Sequence, residues 1–205
     1  MQVKICGITT INDALLCCEL GANAIGFIFY EKSKRYINYG KAAEIIHQLP
    51  PFIVKVGIFV NPILPDVNEI AQSVGLNAVQ LHGDELQTFV EQINFPVIKG
   101  FRINNEFEYS KLDNYKNCSF LLDSYTPNNP GGTGITFDWS MIPSKFRDKI
   151  ILAGGISSEN IEYIYKNVQP MAIDLSSSVE SSPGKKDPIK LREFFKIVNK
   201  LRYSC

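Results

Sequence analysis

The chain has few of the residues that build metal centres or disulfide scaffolds. Its 205 residues include only two histidines and five cysteines, and the cysteines have no repeated spacing. Adjacent Cys17 and Cys18 lack the spacing of metal ligands. An odd number of cysteines without a regular frame is not typical of a secreted protein held by disulfides. The composition therefore predicts no metal site and no cross-linked scaffold.

The chain also lacks an excess of charge and a long apolar run. Lys and Arg together number 21, as do Asp and Glu, so the formal net charge is +0. That balance argues against a nucleic-acid partner, because such affinity comes largely from neutralised phosphates, but it allows a local cationic pocket for a small phosphate. No signal peptide and no run of about 18 apolar residues are found. We therefore expect a soluble cytoplasmic protein without nucleic-acid or membrane partners.

Eight short apolar runs are present, with helical patterns between them. Each run is nearly continuous in apolar residues, which is typical of parallel strands buried on both faces. The runs cover residues 3–5, 24–29, 53–60, 78–81, 97–101, 120–122, 150–153 and 171–175. Eight strands alternating with helices predict one α/β domain over residues 1–205, a (β/α)8 or TIM barrel. A doubly wound sheet is the competing fold, but no G-x-G-x-x-G motif follows the first run.

The first and last helices have signals at their starts. Thr10 followed three residues later by Asp13 resembles a capping box, and Gly21 offers an end to that helix. Asp187 followed by Pro188 predicts the start of the last helix, because proline lacks an N–H group that would have no helical partner there.

Two later connections have weaker signals. Ser157 or Ser158 can cap a helix that continues to about Lys166. Residues 104–117 have little apolar periodicity, so we expect an irregular connection there rather than a helix.

The carboxyl-terminal ends of the strands form the working face of a (β/α)8 barrel. Cys6 follows the first apolar run and Asp123 follows the sixth. A thiol with a pKa of about 8.5 can act as a general base. A carboxyl group can act as a general acid if burial or a nearby negative charge raises its pKa. The alternatives are a small buried cysteine and a rim aspartate bonded to a backbone amide or a lysine.

Glycines and serines follow the last two runs. Gly154 and Gly155 let backbone N–H groups approach an anion, and the helix predicted after them would direct its positive end to the same place. Ser176, Ser177 and Ser178 add hydroxyl groups. The loops after the seventh and eighth strands are the usual phosphate site of this fold. A tight turn is the alternative explanation for the two glycines.

Single basic residues in or after the strands are further candidates for binding or catalysis. Arg35 could bind a carboxylate through two hydrogen bonds, or form a surface salt bridge instead. His82 could bind substrate or carry a proton, or be a hydrogen-bonded residue of the rim. Lys4, Lys55 and Lys99 could form a Schiff base, but pairing with acidic residues in the polar layer of the barrel is favoured.

These motifs occur together in the order found in the phosphoribosylanthranilate isomerases of tryptophan biosynthesis. They comprise residues 4–9, 26–29 with 33–35, 56–61, 79–84, 122–123 with 131–134, 137–139, 152–156 and 174–184. From residue 4 to about residue 187 the chain resembles that family. Thr10, Lys34 and Ser178 depart from its usual pattern, and they bear on affinity rather than on the reaction.

The resemblance implies an Amadori rearrangement without metal or cofactor. The substrate would be the phosphosugar N-(5-phosphoribosyl)anthranilate, and the product 1-(2-carboxyphenylamino)-1-deoxyribulose 5-phosphate. Cys6 matches the family's catalytic cysteine and Asp123 its catalytic aspartate. Arg35 matches the arginine associated with the anthranilate carboxylate, and the loops at Gly154 and Ser176 match the phosphate site.

Two other functions are alternatives to the isomerase. One is a non-catalytic barrel that binds a phosphorylated ligand, and the other is a lyase that forms a Schiff base on Lys55 or Lys99. The isomerase is favoured because Cys6 and Asp123 are both present. The sequence is compatible with a monomer or a homodimer and does not choose between them.

Overall fold

Eight parallel strands close into a barrel in the structure, a computed structural model that describes residues 1–124 and 138–203. The strands are β1 (Gln2–Cys6), β2 (Ala24–Ile28), β3 (Val54–Phe59), β4 (Ala78–Leu81), β5 (Val97–Ile103), β6 (Cys118–Ser124), β7 (Ile150–Ala153) and β8 (Ala172–Leu175). Each strand pairs with the next, and β8 pairs with β1. The predicted α/β class and (β/α)8 architecture are confirmed, and each predicted run overlaps one strand.

Helices and short helical turns connect the strands. The helices are α1 (Ile11–Leu20), α2 (Tyr39–Ile46), α3 (Leu64–Val74), α4 (Gln87–Val90), α5 (Ile161–Tyr163, continued by a π-helical turn at Ile164–Val168) and α6 (Pro188–Tyr203). The connection predicted to be irregular contains a 3-10 segment, Tyr109–Asn114. A hairpin of β9 (Glu180–Ser182) and β10 (Lys185–Lys186) precedes α6. None of the described helices combines the length and apolar character needed to cross a membrane.

The predicted start and end of α1 and the predicted start of α6 are confirmed by the structure. The Thr10 hydroxyl accepts a bond from Asp13 N at 3.2 Å, and Gly21 ends α1 with a φ of 104°. Asp187 Oδ1 accepts bonds from two backbone N–H groups in the first turn of α6, at 2.9 and 3.2 Å. The Asp13 carboxylate accepts a bond from Lys186 N at 3.1 Å, so it links α1 to the hairpin rather than completing a capping box.

The helix predicted to start at Ser157 or Ser158 starts later, at Ile161. Asn160 Oδ1 accepts a hydrogen bond from Ser157 N at 2.9 Å, and Asn160 Nδ2 donates to Gly155 O at 2.8 Å. This side chain offers the backbone a turn in place of a helix, as asparagine often does. The prediction was therefore wrong about the start, although Ser157 Oγ does accept a hydrogen bond from Glu159 N at 3.3 Å in the turn before the helix. The regular α-helical part, Ile161–Tyr163, is too short to direct a positive end at an anion.

Two sets of side chains fill the interior of the barrel. One set consists of Cys6, Val56, Ile58 and Ala78, and the other of Leu121, Ile151, Ala153 and Ala172; Ile98 packs against both. Since successive residues of a strand alternate between faces, residues two positions further along the same strand also point inward. This alternation places Cys6, Asp123 and Asp174 on inward faces at the carboxyl-terminal end.

Candidate active site

Cys6 is the last residue of β1, and its thiol lies inside the barrel. The side chain is buried and packs with Val56 and Ile58 of β3. A Cβ atom added to Gly26 on β2 would lie 3.0 Å from Cys6 Sγ, so glycine at this position leaves room for the thiol. The predicted base is thus at the end of the barrel where the reaction face was expected.

Asp123 and His82 lie side by side at the barrel mouth. His82 Nε2 is 3.6 Å from Asp123 Oδ2, and the Asp123 side chain is 38% exposed, so a ligand in the mouth can reach it. Gln80 Nε2 lies 3.0 Å from His82 Nδ1. The Gln80 amide therefore holds the imidazole ring on the side opposite Asp123, and Nε2 faces the carboxyl group. The structure therefore pairs the predicted acid with the predicted proton carrier.

A buried ion pair lies next to Cys6. Lys4 Nζ is 2.8 Å from Asp174 Oδ2, and the two side chains are only 4% and 9% exposed. Lys4 is aligned with Asp174 across the contact of β1 with β8. The prediction that Lys4 pairs with an acidic residue is confirmed. Asp174 was not among the predicted site residues, although its position two residues after inward-facing Ala172 is a signal once the barrel is known to close.

Burial and the charge of Lys4 act against each other at these groups. Burial raises the pKa of Cys6 and that of Asp174, and Lys4 opposes both changes. Burial alone would lower the pKa of Lys4, but Asp174 and Cys6 outweigh it and raise that pKa. Lys4 therefore carries a charge inside the barrel, and it stabilises the Cys6 thiolate against the cost of burial.

Arg35 is held at the mouth by Glu180. Its Nε lies 3.0 Å from both carboxylate oxygens, and its Nη2 lies 2.7 Å from Oε2. The stem of Arg35 crosses Gly7, where an added Cβ would lie 2.6 Å from Arg35 Cδ, and Gly7 has a φ of +74°. Glycine is therefore required there. The arginine forms a partly buried pair within the protein, and binding of a substrate carboxylate stays a prediction.

A second buried lysine anchors this region. Lys186 Nζ donates to Cys6 O at 2.7 Å, to Ser176 O at 3.3 Å and to Glu180 Oε1 at 2.9 Å. Its side chain is fully buried. One ammonium group therefore joins the ends of β1 and β8 to the hairpin, and Glu180 binds both Lys186 and Arg35. We did not identify Lys186 or Glu180 from the sequence, although Glu180 lies within one of the quoted motifs.

We expect Glu180→Gln to lower the free energy of unfolding by about 3 kcal/mol at neutral pH, because Lys186 would keep a buried charge without its partner. Burial alone would raise the pKa of Glu180, but Arg35 and Lys186 outweigh it and lower that pKa below its ordinary value of 4.5. The stabilisation by the Glu180 carboxylate is fully present above about pH 4.5, the pKa expected in the unfolded chain. It is lost as the pH falls through the lower pKa that Glu180 has in the folded protein.

Urea unfolding at neutral pH and at about pH 3.5 measures this effect. The difference in the free energy of unfolding between wild type and Glu180→Gln should be smaller at the acidic pH. Glu69→Gln, at an exposed position on α3, serves as the control and should match wild type at both values. An equal difference in the free energy of unfolding at both pH values would contradict a role for the carboxylate charge.

The two loops predicted to bind phosphate are adjacent, because β7 and β8 are neighbours. Gly154 and Gly155 have φ of 78° and 67°. A Cβ added to Gly154 would lie 2.7 Å from Asp123 Oδ1, so this glycine also makes room for the predicted acid. Ser176 Oγ donates to Cys6 O at 3.3 Å. An anion site here would use backbone N–H groups and serine hydroxyls, without the helix end that we expected.

Part of the predicted rim is not covered by the structure. The Gly131–Gly134 motif and Phe137 lie outside the described residues. Ser177 and Ser178 are described, and their side chains are exposed in a 3-10 turn after β8. Within residues 1–124 and 138–203, no three His, Cys, Asp or Glu side chains are grouped to hold a metal ion. The predicted lack of a metal and of a cofactor stays a prediction.

Three lysines were considered for a Schiff base; Lys4 is held by Asp174, and neither of the other two is placed for that role. Lys99 Nζ lies 3.1 Å from Glu85 Oε2 and donates to Gly83 O at 2.7 Å, and its side chain is 2% exposed. Lys55 alternates along β3 with the inward-facing Val56, so it points away from the interior. The geometry of the mouth therefore favours the thiol and the carboxyl over an amine.

The chain is similar to known proteins over most of its length. The chain matches a family model described as N-(5'phosphoribosyl)anthranilate (PRA) isomerase over residues 3–197. It is 49% identical over 197 residues to the N-(5'-phosphoribosyl)anthranilate isomerase of Geotalea uraniireducens (strain Rf4), and the match covers 95% of this chain and 97% of that protein.

Solved structures are similar over almost the whole chain. Phosphoribosyl anthranilate isomerase from Thermotoga maritima is 43% identical with a TM-score of 0.90, covering 97% of this chain and 98% of that one. A second isomerase structure is a complex with reduced 1-(o-carboxyphenylamino)-1-deoxyribulose 5-phosphate; it is 41% identical with a TM-score of 0.85, covering 96% and 97%. A third contains monomers generated from the dimeric Thermotoga maritima enzyme, with 39% identity, a TM-score of 0.85 and coverage of 97% and 98%.

Proposed function

The chain belongs to the N-(5'-phosphoribosyl)anthranilate isomerase family, and we propose that Cys6 and Asp123 perform its reaction as general base and general acid. The reaction is the Amadori rearrangement of N-(5-phosphoribosyl)anthranilate to 1-(2-carboxyphenylamino)-1-deoxyribulose 5-phosphate, a step of L-tryptophan biosynthesis. One observation carries the assignment of roles. A buried thiol and an accessible carboxyl group lie on inward faces at the same end of one barrel.

The proposed mechanism needs one proton donor and one proton acceptor. Asp123 protonates the ring oxygen of the sugar while the bond from that oxygen to C1 breaks, which gives an open-chain protonated Schiff base. The positive charge acidifies the proton on C2, and the Cys6 thiolate removes it to form an enolamine. The enolamine then loses its hydroxyl proton and gains a proton on C1, which yields the ketone. Each of the two groups contributes about 10²–10⁴-fold to the rate.

His82 is assigned to the proton path of Asp123. Its Nε2 faces the carboxyl group at 3.6 Å, and Gln80 fixes the orientation of the ring from the other side. A proton can therefore return to Asp123 from solvent through the imidazole after each turnover.

Each end of the substrate is assigned to an anion site of its own. Arg35 binds the anthranilate carboxylate, since its planar group can form paired hydrogen bonds with a carboxylate. Gly154 and Gly155, with Ser176, Ser177 and Ser178, bind the phosphate through backbone N–H groups and hydroxyls. Holding both ends orients the sugar between the acid and the base, which lowers the barrier further.

Arg35→Lys is expected to raise KM by about 10-fold or more while kcat changes less, because lysine keeps the charge but loses the paired geometry. Steady-state kinetics with N-(5-phosphoribosyl)anthranilate measures the two constants. Lys32→Ala removes another exposed cation close to Arg35 in the chain and should leave KM close to wild type. An unchanged KM for folded Arg35→Lys would remove Arg35 from the carboxylate site.

Turnover of freshly generated N-(5-phosphoribosyl)anthranilate in the presence of EDTA tests the function. The wild-type protein should convert it to the ketose product without added metal. A folded protein that binds the reduced product analogue but converts no substrate would instead support the non-catalytic barrel. Borohydride reduction with substrate tests the lyase, and a mass increase on Lys55 or Lys99 would support it.

A homodimer is our proposal for the assembly state. The support from relatives is the dimeric enzyme of Thermotoga maritima. On this chain, Phe52, Val54 and Met171 are 96%, 42% and 36% exposed, and they lie at the amino-terminal ends of β3 and β8. A cavity of about 210 Å³ lined by Val54 and Met171 opens at the same end. Apolar surface of this kind is typical of contacts between identical subunits.

Phe52→Glu should convert the dimer to a monomer, because the charge would be buried in the contact. Sedimentation velocity at several protein concentrations measures the change. Leu86→Glu is a suitable control, since Leu86 is also exposed (68%) but follows β4 at the opposite end. A wild-type protein that sediments as a monomer at all concentrations would contradict the proposal.

We also assign the enzyme to the cytoplasm. Cys6, Cys17, Cys18 and Cys118 are free thiols in the described part of the chain, and a thiol base has to remain reduced. Reduced thiols persist in the cytoplasm and are oxidised in secretory compartments. Fractionated cells should contain the activity in the cytosolic extract, and activity confined to an envelope fraction would contradict this assignment.

A further inference from the structure

Asp174 has one carboxylate oxygen that no described residue contacts. Oδ2 is held by Lys4 at 2.8 Å, whereas Oδ1 is buried and has no hydrogen-bond partner among residues 1–124 and 138–203. The side chain as a whole is only 9% exposed. Buried carboxylate oxygens in folded proteins almost always accept a hydrogen bond. A bound ligand could therefore supply the hydrogen-bond donor for this oxygen.

The position of Asp174 relates this oxygen to the substrate. The residue lies on β8 next to Ala153 on β7 and Lys4 on β1, on the inward face and close to the carboxyl-terminal end. Asp123 and His82 are near enough to influence it electrostatically, and Lys4 acts on Cys6 as well as on Asp174. Asp174 is thus within the group that contains the proposed acid and the proposed base.

Charge limits what Asp174 can bind. The substrate has a phosphate and a carboxylate, and an anionic oxygen repels both. The remaining donors on the molecule are the hydroxyl groups of the sugar and the nitrogen that joins the sugar to anthranilate. Hydroxyl donors bonded to a carboxylate give short, strong hydrogen bonds, and the sugar is the part that must lie between Cys6 and Asp123.

We propose that Asp174 Oδ1 accepts a hydrogen bond from a hydroxyl group on the sugar part of the substrate. Lys4 holds the second oxygen, so the carboxylate is oriented before the substrate arrives. This assignment rests on the barrel mouth being the substrate site, as proposed above. It makes Asp174 a substrate-binding residue in addition to the partner of Lys4.

Calorimetry with the reduced product analogue and three of its deoxy forms tests the proposal. The deoxy forms lack the hydroxyl on C2, C3 or C4. For wild type, removal of one of these hydroxyls should weaken binding by about 10- to 100-fold, the range for a hydrogen bond to a charged group. In Asp174→Asn, Lys4 will take the amide oxygen and turn the amide nitrogen to the ligand. Loss of the same hydroxyl should then change the affinity by less than about 3-fold.

Two further variants, a second variant of the site and a control, accompany this experiment. Lys4→Met/Asp174→Leu removes both buried charges together, which is tolerated better than removal of one, and it should also be insensitive to loss of that hydroxyl. Asp148→Asn, at an exposed position before β7, should keep the wild-type pattern. Equal losses in wild type and in both site variants would overturn the proposal and leave Asp174 as a counter-ion only.

The measurement also separates this inference from the proposed function. If the reduced analogue does not bind wild type at all, the barrel mouth is not the substrate site, and the proposed function fails with the inference. If the analogue binds and every variant responds equally to the deoxy forms, only the role of Asp174 fails. Binding does not depend on the chemistry at Cys6, so the result is independent of turnover.

Discussion

Replacement of Cys6 by alanine is expected to lower kcat by about 10²–10⁴-fold, the contribution of a positioned base. The protein should still fold, because the change removes a single buried sulfur atom. Lys186 binds the Cys6 carbonyl and not its side chain, so this contact is kept. Measurement of kcat, KM and the melting temperature on the same preparation tests both parts of the expectation.

A second buried cysteine offers a matched control for this experiment. Cys17 lies in α1, outside the barrel, and burial raises its pKa to about 12. Cys17→Ala therefore removes a comparable buried thiol without touching the mouth and should leave kcat unchanged. A near-normal rate for Cys6→Ala, or equal losses in the two variants, would return Cys6 to the role of a small buried hydrophobic residue.

The thiol at Cys6 also has an expected pH dependence. Burial raises its pKa above the ordinary value of 9.0 although Lys4 and Lys186 oppose this change. The thiolate fraction in the free enzyme should therefore rise through the alkaline range, and later than for an exposed cysteine. Alkylation by iodoacetamide, followed peptide by peptide in a mass spectrometer, reports the thiolate directly. Lys4→Met should move the rise at Cys6 to still higher pH.

Asp123→Asn is expected to be as damaging as the cysteine variant, with a loss of about 10²–10⁴-fold in kcat. The amide has nearly the shape of the carboxyl group but cannot deliver a proton to the ring oxygen. Binding of the reduced product analogue should change little, because that molecule already has an open sugar chain and needs no proton. Kinetics and calorimetry on one variant therefore distinguish a proton donor from a residue that only binds.

Asp84→Asn is the control for Asp123→Asn. Asp84 is an exposed carboxylate in the loop after β4, close in sequence to His82, and its removal should leave kcat near wild type. If Asp84→Asn and Asp123→Asn lose activity equally, the loss reflects the summed negative charge of the mouth. If Asp123→Asn keeps its turnover, another group donates the proton.

The barrel could be predicted because its strands are buried on both faces. Continuous apolar runs have few alternative structures, and eight of them separated by helical patterns fit one common architecture. The same periodicity explains why Cys6 and Asp123 could be placed at the mouth of the barrel, since each follows directly on a run. Thr10 and Asp187 could be identified as caps because capping depends on residues only two or three positions away.

The features that sequence reasoning missed depend on distant contacts. Arg35 and Glu180 are 145 residues apart, and Lys186 contacts Cys6 from 180 residues away, so no local pattern encodes either pair. Asp174 gained its importance only from the closure of the barrel, which brings β8 beside β1. The late start of α5 was missed for a local reason, because the side chain of Asn160 competes with the helix for backbone hydrogen bonds.

The hairpin formed by β9 and β10 has a consequence for how the protein matures. Lys186 binds the Cys6 carbonyl from 180 residues further along the chain, so the ribosome makes it long after Cys6. A nascent chain can pair β1 with β2 early, but it cannot close the barrel or place this ammonium group until β8 and the hairpin have been synthesised. The Cys6 thiol should thus remain reactive towards alkylating reagents on ribosomes stalled before the hairpin, and become shielded once the barrel has closed.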